Sequence, residues 1–388
     1  MPALAPSMLF WLALITLAVA AGAMAVLVRG LLSIGLLRDV AVALPAAPPR
    51  VSVVIAARDE ADGIERALDS LLAQDYPDYE VIVVDDRSSD ATPQILARKA
   101  VRGGRLRVVR IAELPPGWLG KNHALECGAR AASGTILIFA DADVVMRPDV
   151  ISRAVSHALA ARRDHVTITP EVAAPGLALG MFMGVFTMFF SLYARPWKAA
   201  DPHSSCFIGI GAFNLVRADV YRAVGGHSRI AMRPDDDIKL GKIIKDAGYA
   251  QEMLFGRGLM SVEWYPSLGA LARGLEKNSL AGVDYSVAAM LAGTLAQLVF
   301  FVWPFAALAV TTGAALALNA AACAVLLSTY AVTAHLVGAP RWYAMGFPVM
   351  AVIFVGILWR ATFITLHDGG ITWRGTRYPL AALKANRV

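Results

Sequence analysis

Residues 79–101 read "YEVIVVDDRSSDATPQILARKAV". An apolar run rich in β-branched residues ends in two aspartates, Asp85 and Asp86; after a polar turn, Thr92 and Pro93 open a segment of helical character. Buried parallel strands read as continuous apolar runs, and Thr at a cap with Pro at the first helical position is a recognised helix start. The stretch is therefore a strand, an acidic strand end and a helix.

The same unit recurs on both sides. Upstream, "RVSVVIAARDE" ends at Asp59 and Glu60 and is followed by "GIERALDSLLAQ", with Ile64, Leu68, Leu71 and Leu72 on one helical face. Downstream come "RLRVVRI", a helix through "KNHALECGARAA", and the strand "TILIFADADVV" with Asp141 and Asp143 at its end. This alternation predicts a mostly parallel, doubly wound α/β sheet, in which ligands bind beyond the carboxyl ends of the strands, where the acidic residues fall. No G-x-G-x-x-G opens the first helix, so a dinucleotide dehydrogenase has no support. On an extended chain Asp141 and Asp143 would point the same way and jointly hold a divalent ion that neutralises a diphosphate.

The rest of the chain is of another kind. Of 388 residues 57% are hydrophobic and 17% charged, with mean hydropathy +0.55, too apolar for an ordinary soluble protein. Positions 8–28 carry no charge over about 31 Å of helix, enough to cross the hydrocarbon core, and the leader "MPALAPS" lacks the basic region of a cleaved signal, so a retained anchor is expected. Between Tyr285 and Pro340 there is no charged residue at all; roughly 84 Å of helix must be two spans, near 286–310 and 314–337, with "TTG" at 311–313 as the bend. "WYAMGFPVMAVIFVGILW", 342–359, has aromatics at both ends, as an interfacial belt places them.

A net charge of +6 is dispersed and partly flanks the apolar spans, which favours anionic lipid head groups over nucleic acid. Cys127, Cys206 and Cys323 are far apart and read as reduced and structural; the seven histidines show no paired spacing for zinc. "PDDDIKLGK", 234–242, sets three carboxylates side by side, either a solvated helix start or a site, since adjacent carboxylates raise one another's pKa.

Taken together, "VSVVIAARDE", "DYPDYEVIVVDDRSSD", "PPGWLGKNHAL", "FADADV", "GAFNLVRADVYRAVGGH" and "DDDIKLGKIIKDAGY" resemble the family 2 type glycosyltransferases of GT-A fold. The kinship is with membrane-anchored lipid glycosyltransferases of the ceramide glucosyltransferase, hopene-associated and carotenoid-acid kind. The resemblance implies a nucleotide-sugar donor, with a UDP-sugar expected, and a lipid acceptor. It implies donor contacts at Ala57, Arg58, Asp59, Glu60, Asp85 and Asp86, with Lys121 and Asp141 near the phosphates and Mg²⁺ or Mn²⁺ on Asp141 and Asp143. The family's base precedes a Gly-aromatic pair by eleven residues, and counting back from Gly248 and Tyr249 gives Asp237, with Asp236 in the place of the family's Glu and Asp235 left as helix cap.

The Q-x-x-R-W motif of processive polysaccharide synthases is missing from "VEWYPSLGALARGLEKN", which favours single-sugar transfer over polymerisation. Arg273 and Lys277, four apart on an expected helix, and Gly211 are candidates at the diphosphate or acceptor; a membrane-surface role is the alternative for the two cations. A membrane scaffold with a degenerate transferase domain is the non-enzymatic alternative.

The expected organisation is an anchor at 1–30, a linker at 31–49, a GT-A domain at 50–284, about three transmembrane helices over 285–366 and a basic tail at 367–388. The uncharged stretch 172–194 is expected to lie in the interface or core, because a crossing there would part Asp143 from Asp237; its Met and Phe residues would suit an apolar acceptor tail, or simply a core. Arg29 and Arg38 follow the first span, placing the catalytic domain in the cytoplasm, at the cell inner membrane. Three later spans would then export the basic segment "WRGTRYPLAALKANR"; either one of them is re-entrant or the charge rule is overridden.

Overall fold

The computed structural model describes residues 6–102, 104–336 and 338–388, so the first five residues of the leader lie outside it. The chain forms two compact units, one of Met1–Ser33, Ala174–Arg195 and Tyr265–Gly369, the other of Ile34–Ala173, Pro196–Trp264 and Gly370–Val388.

The second unit holds the sheet. Its seven strands run in the order β3 (Leu106–Ile111), β2 (Tyr79–Asp86), β1 (Val51–Ala57), β4 (Ile136–Ala140), β8 (Asn214–Arg217), β6 (His165–Thr169), β9 (Gln251–Phe255). All neighbours are parallel except β8, which is antiparallel to both β4 and β6. Central β1 is apolar on both faces, as a strand covered on both sides must be. Val53 and Ile55 pack with Leu68 and Leu71 of α2 (Ile64–Leu72). On the opposite face Val54, Leu137 and Phe139 meet Leu240, Ile243 and Ile244 of α8 (Asp236–Asp246). Each such side chain contributes roughly 1.5–3 kcal/mol on burial, and this seam fixes where α8 begins.

The remaining helices of this unit are α3 (Thr92–Arg102), α4 (Gly120–Ala131), α5 (Val150–Ala160), α7 (Ala218–Ala223) and α15 (Leu380–Ala385). A small sheet orders β5 (Val145–Met146), β10 (Met260–Glu263) and β7 (Glu171–Ala173), and β11 (Gly370–Trp373) with β12 (Thr376–Pro379) makes a hairpin.

The first unit is helical: α1 (Pro6–Leu32), α6 (Leu177–Ala194), the short α9 (Leu268–Gly274) and α10 (Glu276–Ser279), α11 (Val287–Gln297), α12 (Trp303–Ala307), α13 (Gly313–Leu336) and α14 (Phe347–His367). Five segments are long and apolar enough to cross a membrane: Met8–Leu32, Leu177–Lys198, Val287–Ala307, Gly313–Leu336 and Arg341–His367. Between α11 and α12 a π-helical stretch, Leu298–Val302, interrupts the regular helix just before Pro304.

Polar and close-packed contacts join these helices, as they must where lipid supplies no hydrophobic drive. Tyr330 Oη donates to the Met181 carbonyl at 2.6 Å and Trp359 Nε1 to Thr294 Oγ1 at 2.8 Å. A Cβ on Gly184 would stand 2.5 Å from the Tyr330 ring, so only glycine admits that ring. Phe182, Met188 and Phe189 of α6 are buried in this unit, so half of the Met and Phe stretch is core.

A folded polar unit cannot be divided by a bilayer, since its sheet and loops would leave unpaired backbone groups in hydrocarbon. Ala173 and Pro196 belong to one unit, so α6 alone cannot traverse between them. Trp264 and Gly370 belong to that unit too, so an even number of crossings between them is expected, with the basic tail on the side of the sheet. In a cysteine-free background, Asp62→Cys, Ser228→Cys and Lys384→Cys are therefore expected to react with an impermeant maleimide from the same face of sealed vesicles. Labelling of position 384 from the opposite face would contradict the parity.

Candidate active site

Three strand ends and two helix starts converge. Asp86, at the end of β2, is buried and accepts from Arg87 Nε at 2.8 Å and Nη2 at 3.0 Å, with Arg58 Nη1 at 3.8 Å. Asp85 is buried beside it, accepting from the Ser88 amide at 3.1 Å. Ala57 is buried as the last residue of β1. After it the chain turns through Asp59, at φ 54°, whose carboxylate takes the Ser89 amide at 2.7 Å and so ties the β1 loop to the β2 loop. A side chain at Gly120, the first residue of α4, would meet Asp86 Oδ2 at 2.3 Å, so this helix start needs glycine to approach the strand end.

Lys121, the next residue, is the hub. Its Nζ lies 2.9 Å from Asp141 Oδ1 and 3.3 Å from Asp236 Oδ2. Burial alone would favour the neutral amine, but Asp141, Asp236 and Asp237 outweigh it and hold the ammonium well above its ordinary pKa. Asp237 sits in the first turn of α8, with Oδ2 accepting the Gly211 amide at 2.7 Å and Oδ1 accepting the Ile238 amide at 2.8 Å. Burial and the neighbouring Asp236 push its carboxyl up to about 7, with Lys121 opposing.

Gly211 touches both acidic clusters, since a Cβ there would stand 2.7 Å from Asp141 Oδ2. A Cβ on Gly209 would come within 1.8 Å of the Asp237 carbonyl. Lys121, Asp141, Gly211, His227, Asp236 and Asp237 line one cleft of about 250 Å³.

Three expectations need correction. Asp141, Ala142 and Asp143 do not continue β4 as extended chain; the strand stops at Ala140 and the acidic pair lies in a turn. Asp235 stands at the cap position of α8 but makes no side-chain capping bond; its carboxylate instead takes Arg233 Nε at 2.8 Å and Nη2 at 2.7 Å, both partners buried. Arg273 and Lys277 belong to the helical unit, on two short helices, α9 and α10, rather than one.

The Asp141–Asp143 turn suits a hard divalent ion, which prefers carboxylate oxygen. Burial and Asp141 raise the Asp143 carboxyl to about 6, the signature of two negative charges pressed together. Among the described residues no cluster of three or more His, Cys, Asp or Glu suits a metal.

The comparisons with known proteins agree with this geometry. Residues 52–224 match the model of glycosyl transferase family 2. The chain carries a family 2 glycosyltransferase domain.

Among relatives of this domain, the succinoglycan biosynthesis protein ExoO of Rhizobium meliloti is 39% identical over 34% of this chain and 37% of that protein. The 4,4'-diaponeurosporenoate glycosyltransferase of Staphylococcus haemolyticus is 28% identical over 55% of this chain and 56% of that protein. A beta-monoglucosyldiacylglycerol synthase of Trichormus variabilis is 36% identical over 26% of this chain and 22% of that protein. The chain thus spans from about a fifth to somewhat over half the length of these relatives. Among solved structures, the mannosyltransferase PcManGT of Pyrobaculum calidifontis, in complex with GDP-Man and Mn²⁺, shares the fold at TM-score 0.54 and 22% identity, covering 93% of this chain and 99% of that one.

Sequence reasoning missed several residues that hold the candidate site. Asn122 Nδ2 donates to the carbonyls of Ile230 and Arg233 at 2.7 and 2.9 Å, pinning the loop that carries Asp235 and Asp236 to α4. Buried His227 bonds Tyr221 Oη through Nδ1 at 2.8 Å and packs edge-on against Phe139; burial first, then Lys121, hold it down to about 3, so it stays neutral. Only the "GIG" at 209–211 hinted at the close backbone approach.

Because Arg233 and Asp235 are a buried pair, Asp235→Ala is expected to destabilise the protein by about 3–5 kcal/mol, not the ~1 kcal/mol of a lost cap. Replacing both, Arg233→Met with Asp235→Leu, should recover most of that loss. Denaturant unfolding of the purified protein reads both values.

Proposed function

We propose that this chain transfers a single sugar from a nucleoside-diphosphate sugar to the hydroxyl of a membrane lipid, with inversion at the anomeric carbon. The observation that carries the reading is the Asp237 carboxylate, oriented by the Gly211 and Ile238 amides beside the Lys121–Asp141 pair. A general base needs a fixed position and a pKa near the working pH, and Asp237 has both. The five apolar segments, and relatives named for glucosyldiacylglycerol and diaponeurosporenoate, support a lipid acceptor at a membrane. Nucleotide sugars are made in the cytoplasm, and the basic residues after α1 favour that side and an inner-membrane location.

In this reading Asp237 takes the proton of the lipid hydroxyl as its oxygen bonds to the anomeric carbon. The bond from that carbon to the diphosphate breaks on the opposite face, and the diphosphate leaves with the electron pair. A divalent ion on Asp141 and Asp143, Mg²⁺ or Mn²⁺, would supply charge neutralisation for the leaving group. Lys121 holds Asp141 and Asp236 in place and keeps a permanent positive charge at the phosphate end. Asp85 and Asp86, fixed by Ser88, Arg87 and Arg58, and the loop Ala57–Glu60 frame the nucleoside, most simply of a UDP-sugar.

Asp237→Asn is expected to lower transfer by about 10²-fold or more while nucleotide binding persists. The sign of the pH dependence follows from the raised carboxyl. Below pH 7 Asp237 is protonated and cannot accept the proton, so kcat/KM should rise with pH to a plateau above about 7, and Asp237→Asn should lose that rising limb. Asp143→Ala should abolish the Mn²⁺-dependent part of nucleotide binding in calorimetric titration. A transfer assay with UDP- and GDP-sugars and a lipid extract tests the whole reading. Products with several sugars added would favour a polymerase instead, and absence of nucleotide binding would favour a scaffold.

A further inference from the structure

The C-terminal hairpin does not trail from the last helix. It packs within the polar unit and reaches two of the loops that frame the donor. Arg374 donates through Nη1 to the Asp59 carbonyl at 3.2 Å and through Nη2 to the Glu60 carboxylate. From β12, buried Tyr378 accepts the Gly120 amide at 3.3 Å, one residue before Lys121. The tail thus bridges the end of β1 and the start of α4.

Arg374 shares positive φ with Arg87, Arg162 and Arg195, and what sets it apart is a head group held on the β1 loop. Trp373 pairs with Thr376, leaving a two-residue loop of Arg374 and Gly375, at φ 47° and 75°. Both residues of such a turn need positive φ, so Asn-Gly or Asp-Gly is the favoured pair, and a side chain as long as arginine is strained there. A strained residue that persists while its head group is held by a ligand-binding loop points to function more than to folding.

We propose that the C-terminal hairpin is a part of the donor site, with Arg374 and Tyr378 as positioning residues that hold the β1 loop and the α4 start around the nucleoside diphosphate. The proposal rests on the donor-site reading above. Electrostatics agree with it: burial raises the Glu60 carboxyl to about 7, with Arg374 opposing. Asn122, the Ser89–Asp59 bond and the Asp86–Arg87 pair fix the same loops from inside the sheet. The tail adds the outer side.

The test uses the full chain in lipid nanodiscs, with UDP and GDP as probes in the presence of Mn²⁺. Arg374→Asn suits the turn better than arginine, so the nucleotide-free melting temperature should hold or rise. Nucleotide affinity should nevertheless fall about tenfold or more, with the donor KM raised and the acceptor KM unchanged. Tyr378→Phe should show a smaller shift of the same kind, and Arg374→Lys a partial return. If Arg374→Asn keeps affinity within twofold of the parent while Asp143→Ala loses it, the hairpin is structural only and the proposal fails. A loss of affinity that accompanies a lower melting temperature also overturns it. If Asp143→Ala binds as well as the parent, the donor-site reading fails, and the proposal with it.

Discussion

The site depends on one ammonium group set among three carboxylates. Lys121 Nζ touches Asp141 and Asp236 and acts on Asp237, so it joins the end of β4, the start of α4 and the start of α8 in one electrostatic cluster. Burial works against the ammonium, and Asp141, Asp236 and Asp237 together outweigh it, so the amine stays charged. Without that charge the three acids would repel, and the helix that carries Asp236 and Asp237 would begin under strain. The hydrophobic seam of Leu240, Ile243 and Ile244 places α8, but the ammonium decides that its acidic end can stand against the sheet.

Close approach is the second condition. Gly209, Gly211 and Gly241 let the segment between α6 and β8 lie against α8 with backbone nearly touching backbone; a Cβ on Gly241 would come within 2.0 Å of the Ile208 carbonyl. This brings the Gly211 amide to Asp237 and leaves Asp141 on its other side. The amide fixes the orientation of the carboxylate and the glycines fix the distance. Neither depends on a loop free to rearrange.

Much of this was legible in the residues. β-branched runs ending in acids mark the strands and their acidic ends, and the period of Leu240, Ile243 and Ile244 marks α8 as a helix, whereas Asp237 was singled out by the family resemblance, counting back from Gly248 and Tyr249. What escaped depends on contacts far apart in the chain. Asp235 looked like a cap because capping is a local rule, whereas its carboxylate is taken by Arg233, two residues earlier, in a loop that Asn122 holds against α4 from 111 residues away. The Asp141–Asp143 pair looked extended because strands give no sign of where they stop. The side of the tail was undecidable from hydropathy, which counts spans by composition and is blind to the Arg374 and Tyr378 contacts that tie the hairpin to the sheet unit.

The acids of the cleft share one charge problem. Glu60, Asp141, Asp143, Asp236 and Asp237 crowd together, with Lys121 and Arg374 among the cations that oppose them. Burial compounds the imbalance, so Glu60 and Asp237 rise to about 7 and Asp143 to about 6. Raised carboxyls of this kind are what a deficit of positive charge produces when only protons can fill it. In the proposed reading a diphosphate, itself an anion, would deepen the deficit, and Asp141 and Asp143 would hold a divalent ion that supplies the positive charge.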